Sequence, residues 1–94
     1  MPTLNTIFTN QTADADAAPF NCTGGPVVVF VNGTFDGAKV KMQYSLDDGA
    51  NWFDDDVFFA GKSYEETVPP VNSQMRLSLR DSTANTDVSA KVYK

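Results

Sequence analysis

The chain has 94 residues, enough for one small domain, and its seven Lys and Arg against twelve Asp and Glu give a net charge of −5. That balance disfavours non-specific attraction to nucleic acid phosphates or to anionic lipid, so neither nucleic acid nor membrane is an expected partner. With no His and with Cys22 as the single cysteine, the chain lacks an intrachain disulfide, the usual general base at neutral pH and the commonest metal ligand; no catalytic, metal or cofactor-binding residue is assigned, and an enzyme is not expected.

In chain order, Met1 to Phe8 shows neither the basic leader nor the unbroken apolar run of a signal peptide, and no stretch approaches transmembrane length, which predicts a soluble chain. A first strand spans Thr3 to Asn10. The following Ala13-Asp14-Ala15-Asp16-Ala17-Ala18-Pro19 has too little apolar content to pack on its own and reads as a mobile or partner-ordered loop. Residues 1–17 are therefore expected to form an N-terminal strand and flexible connection, and 18–94 a single β-sandwich domain. A strand on such a tether is free to pair with a neighbouring subunit through Leu4, Ile7 and Phe8, which makes these candidate interface residues.

Further strands are predicted over Ala18 to Cys22, Pro26 to Val31, Ala38 to Leu46, Trp52 to Phe59, Ser63 to Val68, Gln74 to Arg80 and Asp87 to Tyr93. Cys22 reads as a small buried apolar residue. The run Val27 to Val31 is wholly apolar, so it should be covered on both sides, by its own domain or by a partner; Val27, Val29 and Val31 join the candidate interface. Asn32 to Gly37 reads as a turn. Val40, Met42 and Tyr44 alternate with Lys39, Lys41, Gln43 and Ser45, as do Met75, Leu77 and Leu79 with Arg76, Ser78 and Arg80, and Val88, Ala90 and Val92 with Ser89, Lys91 and Tyr93; each strand should bury the first set and wet the second. The polar loop Asp81 to Thr86 predicts an antiparallel hairpin of the last two strands. Without a helical period anywhere, the expected fold is all-β: an antiparallel β-sandwich or jelly-roll-like barrel of about eight strands.

The sharpest local signal is Ser45-Leu46-Asp47-Asp48-Gly49-Ala50-Asn51-Trp52. Its spacing, Ser-x-Asp-x-Gly-x-x-Trp, is that of an Asp-box. In that turn a hydroxyl and a carboxylate bond local amides, glycine takes a backbone conformation closed to other residues, and the tryptophan folds back as an apolar plug. Ser45, Asp47, Gly49 and Trp52 are the expected structural turn, a folding device with no function of its own. The nearby carboxylates Asp47, Asp48, Asp54, Asp55 and Asp56 lack the alternate spacing of an EF-hand loop and read as turn ligands plus a solvated acidic face. Trp52, Phe53, Phe58, Phe59 and Tyr64 could form a sugar-stacking platform, which keeps a small carbohydrate-binding module as an alternative, although alternating aromatics in strands usually serve the core.

The stretch Val27 to Trp52 holds Gly33-Thr34-Phe35-Asp36-Gly37-Ala38, a strand and then the Asp-box. In this it resembles small β-sandwich structural proteins of tailed bacteriophages, which carry a Gly-x-Phe-x-Gly-Ala turn, a strand and a Ser-x-Asp-x-Gly-x-x-Trp hairpin; Met75 to Leu79 resembles their next-to-last strand. The match covers about half the chain and is one of pattern. It implies a virion structural protein, foremost a head decoration or cement protein bound between major capsid protein subunits on the capsid surface, assembled in the host cytoplasm. A homo-oligomer such as a trimer is the expected state, and a tail or fibre component is the alternative within the particle.

Overall fold

The computed structural model describes residues 2–94. Nine strands form: β1 (Leu4–Gln11), β2 (Ala15–Asp16), β3 (Phe20–Asn21), β4 (Val27–Thr34), β5 (Lys39–Ser45), β6 (Phe53–Phe59), β7 (Ser63–Thr67), β8 (Gln74–Arg80) and β9 (Asp87–Tyr93). They make two antiparallel sheets packed face to face. Sheet A has the order β1-β9-β4-β7; sheet B has β2-β8-β5-β6, with β3 also on β8. If β2 and β3 are taken as one broken strand, this is the eight-strand order of a jelly roll.

The pairing has a simple origin in the sequence. Leu4 pairs with Tyr93, Ala15 with Leu79, Val27 with Thr67, Val40 with Phe59 and Tyr44 with Phe53. Each pair lies further inward along the chain, converging on the Asp-box. The whole polypeptide is thus one long hairpin whose tip is that turn, rolled up so that β4 also meets β9 and β5 also meets β8.

Alternation decides what faces the interior. Val29, Val31, Val88, Ala90 and Val92 of sheet A pack toward Val40, Met42, Met75, Leu77 and Leu79 of sheet B, and all are buried. Removing such side chains from water is the main stabilising contribution, about 25 cal/mol per Å² of apolar surface.

Three local expectations change. The chain does not turn at Asn32: β4 runs on to Thr34, and the turn comes at Asp36 and Gly37, both with positive φ. Gly33 sits inside the strand at φ 116, where a Cβ would collide with the Asp87 carbonyl oxygen of β9, so close approach of two strands requires glycine there. The last two strands are not a hairpin. β8 lies in sheet B and β9 in sheet A, because each has one apolar face and the two faces bury against each other across the sandwich. The loop between them is an arch, held by Asp36, which accepts hydrogen bonds from Thr83 Oγ1 and Asn85 Nδ2.

The third change concerns the N-terminal segment. β1 pairs with β9 of its own chain, and the alanine-rich stretch after it is anchored: Ala15 and Asp16 pair with Leu79 and Ser78, and Ala17 N donates to Leu77 O. What the segment lacks in apolar content it makes up through Asp16, whose carboxylate accepts from Ser78 Oγ (2.7 Å) and Arg80 (2.6 Å).

Candidate functional site

The Asp-box is built as a closed set of short bonds. Ser45, fully buried at the end of β5, accepts from Gly49 N (2.8 Å) and donates to Asp47 Oδ1 (2.8 Å). Asp47 in turn accepts from Asn51 N (2.9 Å) and Asn51 Nδ2 (2.6 Å). The Asn51 amide, the Asn51 backbone and the Ser45 hydroxyl hold the Asp47 carboxyl below its ordinary 3.8, because each bond favours the charged form. Asp48 and Gly49 take the left-handed backbone, at φ 60 and 90. Trp52 folds back until its ring lies 3.8 Å from where a Gly49 Cβ would sit. It is only half-buried, and its outer face is covered by Arg76.

Arg76 belongs to a polar lattice that crosses four strands of sheet B. From Asp16 on β2 the chain of contacts runs to Arg76 (3.6 Å) and Arg80 on β8, from Arg76 Nε to Gln43 Oε1 on β5 (2.8 Å), and from Gln43 Nε2 to Asp54 Oδ1 on β6 (2.8 Å). Gln43, expected on a wet face, is 8% exposed for this reason, and Ser45 and Ser78, expected to be wet as well, are fully buried because the Asp-box turn covers the first and Asp16 the second. The Asp16 carboxyl is lowered by the Ser78 hydroxyl and then by the Arg76 and Arg80 charges; that of Asp54 is lowered by the Gln43 amide and then by Lys41. The acidic residues near the hairpin are therefore dispersed: Asp47 serves the turn, Asp54 the lattice, and Asp55 accepts from Tyr44 Oη at 2.8 Å. Among the described residues no three acidic, His or Cys side chains gather as a metal site.

The candidate interface residues separate. Val27, Val29 and Val31 face the interior and are buried, as is Phe8 opposite Ala90. Their own second sheet covers them, so as surface residues they are corrected: the outward positions of β4 are Val28, half-buried, and Phe30, 41% exposed. Ile7 is partly buried against the core, and Leu4 is exposed beside Tyr93. The five aromatics considered as a platform do not share a surface. Phe59 is buried, Trp52 lies under Arg76, and Tyr64, on the other sheet, stacks on Phe30 with centroids 5.8 Å apart. Cys22 is a buried free thiol.

Two surface features were not visible as sites in the sequence. Strand directions bring Leu4, Leu46, Phe53, Val68, Val71 and Tyr93 to one end of the sandwich, the end that carries the Asp-box; these are six of the ten exposed large apolar side chains. The same end is braced by Gln74 Nε2, which donates to Asp48 and Asn21. Nearer the opposite end, the outer face of sheet A carries an open groove of about 490 Å³ over the Phe30 and Tyr64 rings. Only knowledge of the sheet order could have found either, since the contributing residues lie far apart in the chain.

No protein-family model, curated protein or solved structure matches the chain.

Proposed function

We propose that the chain is a non-enzymatic structural protein of a tailed-bacteriophage particle, a head decoration or cement protein that seats its apolar end between major capsid protein subunits and stabilises the shell. The observation that carries this is the concentration of Leu46, Phe53, Val68 and Val71, each at least 60% exposed, on one end of the sandwich. Exposed apolar side chains concentrated at one end of a small domain mark a protein contact, and the resemblance of Val27 to Trp52 to phage structural proteins supports the choice of particle. Binding to a lattice would also stabilise a small domain by mass action. In this reading copies of the chain associate as a homo-oligomer, a trimer being the form expected, at the capsid surface.

The test is co-sedimentation with purified capsids. The protein should pellet with particles and raise their resistance to heat, and the double variant Leu46→Asp/Val71→Asp should lose retention while keeping its own melting temperature, since both side chains are exposed. Undiminished retention of that variant, or no retention of the parent protein on capsids, counts against the reading.

A further inference from the structure

Seven cationic side chains are present in the chain. Lys39 pairs with Asp81 and Lys41 with Asp54, Arg76 and Arg80 share Asp16, and Lys94 lies 5.0 Å from the centroid of the Phe20 ring. The remaining two, Lys62 and Lys91, have no carboxylate or ring partner among the described residues, and both line the groove on sheet A. On a chain of net charge −5, two lysines with no carboxylate partner among the described residues line one concavity that no acidic residue lines, which sets its local sign opposite to that of the whole molecule.

The rest of the lining defines what kind of anion fits. Phe30 and Tyr64 form the apolar surface, their planes 29° apart, with Tyr64 largely exposed. Across the sheet Phe30 is flanked by Lys91 on β9 and Tyr64 on β7. One row further along, Asn32 is opposite Ser89, adding an uncharged amide and a hydroxyl whose oxygen accepts from Asn10 N (3.0 Å) and whose proton is left to donate. Aromatic surface beside a few uncharged hydrogen-bonding groups is the composition of a small-ligand site, and the volume falls in the range such sites occupy, about 300 to 1,000 Å³. The outward carboxylate of Glu66 is one row away on the other side of Tyr64, next to Val28, which orients the acid-binding half toward Lys62 and Lys91.

We infer that this groove binds an acidic carbohydrate, a short oligosaccharide of carboxylated sugars: ring faces lie against Phe30 and Tyr64, hydroxyls bond Asn32 and Ser89, and carboxylates meet Lys62 and Lys91. A sugar suits the site better than an acidic peptide because the flat aromatic surface and the uncharged polar groups match the two faces of a pyranose, whereas an aspartate or glutamate side chain would use the amines alone. The groove and the apolar end are separate surfaces, so the inference stands apart from the proposed docking.

The experiment is a titration of the full chain with trigalacturonic acid, followed by amide chemical shifts and calorimetry, with maltotriose and hexaglutamate as comparison ligands. Shifts should centre on residues 30, 32, 62, 64, 89 and 91. Maltotriose and hexaglutamate should each bind at least about tenfold more weakly; Lys62→Ala/Lys91→Ala should weaken trigalacturonate by at least about tenfold without lowering the melting temperature, and Tyr64→Ala should weaken it as much in a chain that remains folded. Absence of groove shifts at millimolar trigalacturonate overturns the inference. So does hexaglutamate binding as tightly, which would make the site a peptide contact, or affinity unchanged in the double lysine variant.

Discussion

The guanidinium carbon of Arg76 lies 4.2 Å from the centroid of the Trp52 ring, so the tip of the chain-long hairpin is clamped to the neighbouring strand β8 by a cation over an aromatic face. Arg76 also bonds Gln43 and pairs with Asp16. Arg76→Ala should destabilise the fold by about 1 to 2 kcal/mol. Urea unfolding checks this, and Trp52 fluorescence should shift to the red in the folded variant as the ring becomes wet.

Ser45 supplies the one fully buried hydroxyl of the Asp-box. Ser45→Ala leaves the Gly49 amide without its partner and removes one of the bonds to Asp47, and the expected loss is about 1 to 3 kcal/mol. A melting temperature equal to that of the parent would remove the hydroxyl from the account of the turn.

Gly33 and Gly37 separate strain from collision. Both have positive φ, but a Cβ on Gly37 meets nothing within 4 Å, whereas one on Gly33 runs into the Asp87 carbonyl. Gly37→Ala should cost about 1 kcal/mol, the backbone preference alone. Gly33→Ala should cost about 3 kcal/mol or more because β4 and β9 must separate. Chemical denaturation of the two variants side by side gives the comparison.

Burial pushes the Tyr44 phenol up to about 12, with the bond to Asp55 adding to the rise. A folded value above the unfolded one, 10.0, means that this stabilisation is complete below pH 10 and is lost as pH rises toward 12. Alkaline difference absorbance should show one tyrosine ionising late, and Tyr44→Phe should remove that step.

The carboxyls of Asp14, Asp16, Asp47 and Asp54 are all held below 3.8 by hydrogen bonds, led respectively by the Ser82, Ser78, Asn51 and Gln43 side chains. Depressed values contribute stability that is present above the unfolded pKa and lost as pH falls through the folded one. Thermal stability should therefore hold from neutrality down to about pH 4 and drop below it. In Asp16→Asn the drop should be shallower.

Strand positions and the Asp-box were legible because both are local: side-chain period two shows in three or four residues, and the turn carries its own ligands. Sheet membership was not. Gln74 to Arg80 and Asp87 to Tyr93 look like hairpin partners over a short loop, yet their apolar faces are better buried against one another than side by side. Asp16 misled for a related reason, since an Ala-Asp stretch looks unable to pack until Ser78 and Arg80, more than sixty residues away, come alongside. The run Val27 to Val31 was apolar on both faces, and its outward Phe30 lies beneath the groove rather than under a covering layer.

The folded-over architecture also dictates when order can arise during synthesis. None of the strands β1 to β5 pairs with another of that group; every partner lies in β6 to β9. A nascent chain halted at Ser45 therefore holds no native ladder, and sheet A stays incomplete until β9 emerges, since it sits between β1 and β4. Loss of β9 would unseat both neighbours, making this strand the keystone of sheet A.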